Sequence, residues 1–141
     1  SRTIISWVLS DTLETKWVVK AVNKAKSARN VSKPLIMHSD RGRQYTSKDY
    51  ENATDGMTLS YSKKAYPWDN ACIESFHSVL KREWINRFRI TDYNHAYKLV
   101  FEYIEAFYNT VRIHSHCDYV SPNEYEKRYW IKLRHLEIDA A

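Results

Sequence analysis

Cysteine is scarce in this chain: Cys72 and Cys117 are the only two among 141 residues, and they form no Cys-x-x-Cys pair. A disulfide-built scaffold is therefore excluded, a reducing compartment fits, and both thiols read as packing or incidental groups. Glycine and proline are nearly as rare, at 2 and 3 residues, and there is no low-complexity tract, internal repeat or convincing linker. A folded chain throughout is expected, and a fibrous or repetitive structural protein is not. Long apolar runs are missing as well. No segment approaches membrane-spanning length and no signal peptide is visible, so the expectation is a soluble protein with no membrane partner.

What is present is enough for one domain. With 43% hydrophobic residues in 141, the chain can build one real core but not two full ones. The formal net charge is +5, from 22 Lys+Arg against 17 Asp+Glu, which favours a polyanionic partner. Five Trp and eleven Tyr make base stacking chemically available, although most such rings belong in a core.

Periodicity predicts alternating strands and helices. Arg2 to Ser10 carries Thr3, Ile4, Ile5, Trp7 and Val8 and reads as a strand. Asp11-Thr-Leu-Glu14 resembles a capping box opening a helix with Leu13, Trp17, Val18, Ala21, Val22 and Ala25 on its apolar face. After a loop around Asn30 to Lys33, Pro34 to Ser39 is apolar enough for a central parallel strand. Ser47 can cap a short helix through about Ala53, stopped by Gly56, and Met57 to Tyr61 forms another strand. A basic loop with Lys63 and Lys64 leads to Asp69, the expected cap of a helix reaching about Arg87. Thr91 is expected to cap the next helix, and Ser121-Pro-Asn-Glu124 a last one.

Two acids then stand out. Asp40 ends the strand in His38-Ser-Asp-Arg-Gly42, and Glu74 lies one turn into the helix after Asp69. Hard divalent cations such as magnesium prefer carboxylate oxygens and often take only one or two from the protein, the rest coming from water and substrate phosphate. Carboxylates on two rigid supports therefore suggest phosphoryl transfer. The plain alternative is that Asp40 merely ends a strand while Glu74 pairs with Lys81 or Ser78 on a solvated face. Spacing alone leaves both open. His114-x-His116-Cys117 invites a zinc reading, but a single local cluster lacks the second ligand pair that zinc needs.

The wording of the motifs goes further. His38-Ser-Asp-Arg-Gly-x-Gln-Tyr-Thr-Ser47, Trp68-Asp-Asn-Ala-x-Ile-Glu-Ser-Phe76, Tyr108-Asn-x-x-Arg-x-His-Ser115 and Tyr119-Val-Ser-Pro122 together resemble insertion-sequence DDE transposases related to retroviral integrases. The likeness runs from Ser1 to about Tyr129, leaving 130–141 as a C-terminal tail. It implies an α/β, RNase H-like catalytic core followed by C-terminal helices. It also implies two Mg²⁺ or Mn²⁺ ions in the complete site and metal-dependent phosphodiester hydrolysis followed by strand transfer. Asp40 would be the second acid of the set and Glu74 the third, at an interval slightly shorter than usual, the shortage falling around the Ser47 to Gly56 helix. Lys81 matches a basic position that contacts end phosphates in relatives. Lys63 and Lys64 lie in a loop that often moves over the site, Arg41 and Arg43 could steer DNA, and Arg112 with His114 match the family pattern in a DNA or structural role. Double-stranded DNA is the implied partner, in a bacterial cytoplasm.

The resemblance also implies an N-terminal truncation. In relatives the first acid lies on a strand upstream of the segment matching Arg2 to Ser10, and Asp11 aligns with a helix start instead. A core lacking its first two strands is expected to turn over poorly, and to dimerise, exchange its N-terminal strand or rearrange locally, because an orphan strand edge is sticky. The competing expectation is a noncatalytic DNA-binding or oligomerising remnant.

Overall fold

The computed structural model describes residues 1–29, 34–64 and 66–139. It divides into two compact units, one formed by Ile5–Arg82 and the other by Ser1–Ile4 together with Glu83–Ala141. The expected loop at 30–33 lies outside the described residues.

In the first unit, helix α1 (Thr15–Ala28), strand β1 (Ile36–Ser39), helix α2 (Lys48–Ala53), strand β2 (Thr58–Tyr61) and helix α3 (Ala71–Glu83) follow in order, α3 crossing the boundary by one residue. The α/β reading holds. β1 and β2 pair in parallel, Ile36 facing Thr58 and Ser39 facing Tyr61, and α2 supplies the crossover that a parallel pair requires. The Ser47 hydroxyl accepts the Tyr50 amide at 3.2 Å and starts α2 as expected; Gly56, at φ 81, takes the left-handed turn that ends it. Tyr50, 1% exposed, is buried in this unit, as are Thr54, Val22 and Phe76. Its ring meets Tyr45 edge-on at 5.5 Å, and the Tyr61 hydroxyl donates to the Tyr45 carbonyl at 3.1 Å.

Several expected elements are corrected. Arg2 to Ser10 is not a strand. β-Branched side chains favour extended backbone, but a strand exists only where a neighbour completes its ladder. Here the bonds go elsewhere: the Ser6 hydroxyl donates to the Ala21 carbonyl at 2.7 Å and Lys24 Nζ to the Trp7 carbonyl at 3.2 Å. The capping box at Asp11 does not form, since α1 begins at Thr15 with Glu14 in the cap position, and Leu13, expected in the core, is 89% exposed. β1 is not buried on both faces, Ile36 being 69% exposed, because a two-stranded sheet covers neither. A 3₁₀ turn over Pro67–Asn70 precedes α3, which stops at Glu83 before a second such turn at Ile85–Arg87.

In the second unit, helix α4 (Tyr93–Phe101) runs on into a π-helical stretch, Glu102–Tyr108, and helix α5 spans Pro122–Asp139. Asp92, not Thr91, caps α4, accepting the His95 amide at 2.8 Å, while Thr91 donates to the Asp92 carboxylate at 3.0 Å. The wider π turn, with the Asn109 amide bonding back five residues to Ile104 at 3.1 Å, lets Tyr103, Ile104 and Tyr108 all turn inward. Trp84 stacks on Phe107 at 6.2 Å and lies 6.0 Å from Tyr103. Ser121 caps α5 as expected, its hydroxyl accepting the Glu124 amide at 3.3 Å; the Glu124 carboxylate turns to Arg128 at 2.9 Å.

Candidate active site

Asp40 is the residue immediately after β1 and is exposed. Its Oδ1 accepts the Gly42 amide at 2.8 Å, which folds the carboxylate back over the turn. That turn leaves little room beside the glycine. Gly42 has an ordinary φ of −57, but a Cβ there would stand 3.0 Å from Asp40 Oδ1 and 2.7 Å from Gln44 Nε2. Glu74 sits exposed in the first turn of α3, where helix amides favour negative charge. Neither the Ser78 hydroxyl nor the Lys81 ammonium bonds its carboxylate.

A hydrogen-bond path anchors the ends of both strands to the segment that feeds α3. Ser62, just past β2 and 8% exposed, donates its amide to the Ser39 carbonyl at 2.9 Å, and its own carbonyl accepts Arg41 Nε at 3.1 Å. His38 spans the two strands, its ring nitrogens pairing with the hydroxyls of Ser60 at 2.9 Å and Ser62 at 3.1 Å. The next amide, from Lys63, bonds the Asp69 carboxylate at 2.9 Å. Asp69 was expected to cap α3; it holds the basic loop instead, because it lies within the 3₁₀ turn Pro67–Asn70 and α3 starts only at Ala71. Sequence reasoning had no signal for Ser62, whose importance comes only from parallel pairing.

Asp40, Glu74, Arg41, Arg43, Lys63, Lys64 and Lys81 all belong to the Ile5–Arg82 unit, whereas Arg112 and His114 belong to the other. Lys63, Lys64, Arg43 and Lys81 are exposed. His77 is exposed, and partial desolvation of its ring, with a lesser effect of nearby Lys81, lowers it from the usual imidazole range.

Arg112 is engaged within its own unit. It grips Glu83 with both arms of its fork, Nε to Oε2 and Nη2 to Oε1 at 2.7 Å each, and Tyr103 donates its hydroxyl to the same carboxylate at 2.8 Å. The hydrogen bond to Glu83 holds the guanidinium charged more firmly than usual. Burial, then the bond to Glu83, pushes the Tyr103 phenol well above its ordinary range. His114 packs edge-on against Tyr108 at 4.8 Å; burial and the charge of Arg112 lower its proton affinity. Asn109, which sequence reasoning passed over, supplies what the missing ladder would: its carboxamide accepts the Ile4 amide at 2.9 Å and donates to the Ile4 carbonyl at 3.0 Å.

The donor chemistry suits a hard cation only in part. Asp40 and Glu74 offer carboxylate oxygens of the kind magnesium takes, but among the described residues no group of three or more His, Cys, Asp or Glu side chains gathers to hold a metal ion. The zinc cluster does not form either, since Cys117 is buried with its thiol donating to the Ser1 carbonyl at 3.0 Å. No helix among the described residues is long and apolar enough to cross a membrane.

Two family models described as integrase core domain match the chain, one over residues 1–67 and the other over 55–122. A transposase for insertion sequence element IS904 from Lactococcus lactis subsp. lactis (strain IL1403) is 40% identical over 129 residues, covering 90% of this chain and 51% of that protein. Transposase InsF for insertion sequence IS3A from Escherichia coli (strain K12) is 36% identical over 130 residues, covering 91% and 45%. An uncharacterized 31 kDa protein of insertion element IS600 from Shigella sonnei is 34% identical over 128 residues, covering 89% and 47%. The chain thus spans about half the length of the relatives it matches.

Proposed function

Because this chain belongs to the integrase core family of insertion-sequence DDE transposases, with an RNase H-like fold, we propose that it serves metal-dependent DNA cleavage and strand transfer in transposition. Asp40 and Glu74 act as two of its acids. They would hold Mg²⁺ or Mn²⁺ together, two ions in a complete site, with water and phosphate oxygens filling the other positions. When bound, such a cation polarises the phosphoryl oxygen and activates the attacking one.

The chain's own residues do the rest. Lys81, Lys63, Lys64 and Arg43 neutralise DNA phosphates, and Arg41 shares that task while tethering Ser62. Arg112 and His114 contribute to DNA binding only as far as their internal bonds allow. The path from Ser39 through Ser62 and Lys63 to Asp69 restrains the strand end and the loop that carry these groups.

The observation that carries this reading is the placement of Asp40 at a parallel-strand end and Glu74 in a first helical turn of the same compact unit, both exposed to solvent. Among the described residues no group of three or more His, Cys, Asp or Glu side chains gathers, which supports the reading that the chain alone turns over poorly. The partners are double-stranded DNA and other copies of the chain, and the working place is the cytoplasm.

Calorimetric titration with Mn²⁺, beside nicking of DNA bearing the element's ends, tests the proposal. Saturable binding that is lost in both Asp40→Asn and Glu74→Gln is expected, with little or no nicking by the pure chain. Binding unchanged in both variants would remove the shared site, and robust nicking would remove the claim of poor turnover.

The absence of a three-ligand group also favours a second reading, a noncatalytic DNA-binding or oligomerising remnant. Salt-sensitive DNA binding without any Mn²⁺ response would decide for it.

A further inference from the structure

Helix α1 carries Lys16, Lys20, Lys24 and Lys26 and no acidic residue along its 14 positions. Lys16, Lys20 and Lys24 recur every fourth residue, so they share one face about 12 Å long. With Val19, Asn23, Ser27 and Ala28 they line an open groove of about 710 Å³. A merely solvated helix face usually intersperses opposite charges, because like charges four residues apart destabilise it. Here Lys16 reaches Glu14, outside the helix, at 2.8 Å, whereas Lys20 and Lys24 have no carboxylate partner among the described residues.

The lysines are nevertheless ordered. The ammonium groups of Lys16 and Lys20 lie 5.0 and 5.5 Å from the centre of the Trp17 ring. That of Lys24 lies 5.6 Å from the Trp7 ring and donates to the Trp7 carbonyl at 3.2 Å. Aromatic faces hold cations without neutralising them. The result is a row of three positioned charges, of which Lys20 and Lys24 have no carboxylate partner among the described residues, flanked by amide and hydroxyl groups, which suits the chemistry of a phosphodiester backbone. One DNA strand presents three to four phosphates over about 12 Å of axis.

We infer that the Lys16, Lys20 and Lys24 face of α1 is a sequence-independent docking surface for the phosphate backbone of double-stranded DNA, separate from the acid pair. This rests on the reading of the chain as a DNA-transposition core, in which a second surface would hold a length of duplex away from the cleaved bond. Phosphate contacts of this kind set orientation and register without reading bases.

The test is the salt dependence of binding to a random-sequence duplex, measured by fluorescence anisotropy for the full chain. Three variants are compared with the parent: Lys16→Gln/Lys20→Gln/Lys24→Gln, the equal-charge control Lys98→Gln/Lys127→Gln/Lys132→Gln, and Lys63→Gln/Lys64→Gln. Circular dichroism verifies helix content, which glutamine supports. Loss of three phosphate contacts should lower the slope of log K against log salt by about 2.7, and affinity at 0.1 M salt by on the order of a hundredfold, with the control near the parent. If the parent binds and the α1 variant and the control weaken equally, the inference fails while the DNA reading stands. If only the loop variant weakens binding, the result is the same. A parent that binds no duplex overturns both, as does binding to phosphatidylserine vesicles, through these lysines, in place of DNA.

Discussion

Arg112→Met should destabilise the chain far more than the loss of a surface charge. Arg112 and Glu83 side chains are 21% and 28% exposed and joined by two bonds of 2.7 Å. Exposed ion pairs contribute at most about 1 kcal/mol, whereas breaking a fully buried pair costs about 3–5 kcal/mol because the surviving charge stays desolvated. With a quarter of each side chain open to water and Tyr103 still donating to the carboxylate, the expected loss is about 2–3 kcal/mol. Glu83→Gln retains an acceptor for Tyr103 and should cost about 1–2 kcal/mol. The double variant should show a coupling of about 2 kcal/mol, the range for residues in direct contact. Urea unfolding followed by circular dichroism and tryptophan fluorescence reads this directly. For a denaturant slope of about 2 kcal/mol/M, the Arg112→Met midpoint falls by about 1–1.5 M. A shift under about 0.2 M with coupling near zero, accompanied by a clear loss of DNA affinity, would refute the structural account and return Arg112 to phosphate contact.

Three further outcomes are expected. Gly42→Ala should drive the Asp40 carboxylate from its 2.8 Å bond to the Gly42 amide, because the new methyl would stand 3.0 Å from Oδ1; Mn²⁺ affinity should fall severalfold with unfolding little changed, and an unaltered affinity would show that the turn does not set the carboxylate. Asp69→Ala should release the Lys63 amide and cost about 1 kcal/mol, seen as lost hydrogen-exchange protection at Lys63; protection that survives would remove Asp69 from the path. Burial and Arg112 hold His114 below the usual imidazole range, and His77 is lowered by partial desolvation and Lys81, so below about pH 6.5 the unfolded chain binds more protons than the folded one and stability falls with acidification. The midpoint of thermal unfolding should therefore drop between pH 7 and 5, with a smaller drop in His114→Gln; an identical drop in that variant would separate the effect from this residue.

The α/β class, the β1–α2–β2 succession, the Ser47 and Ser121 caps and the family motifs were all legible in the sequence. Each rests on local chemistry, either a hydroxyl three residues ahead of an amide or a residue string with separated matches. Other expectations failed where local preference needed a distant partner. Arg2 to Ser10 has the composition of a strand, yet without a ladder its groups bond Ala21, Lys24 and Asn109. Asp69 has the composition of a cap, yet a 3₁₀ turn sends its carboxylate back to Lys63.

Residue order alone therefore determined which chemical groups the chain carries, where the helices capped by Ser47 and Ser121 start, and the family it belongs to, since all of these depend on neighbours within a few positions. Tertiary structure alone decided the rest. The parallel register made Ser62 a junction for His38, Ser39 and Arg41, the π turn swung three aromatic and aliphatic residues into one core, and Glu83 met Arg112 across 29 residues. Such pairings exist only once the backbone has closed long loops, and no periodicity of 2 or 3.6 encodes them.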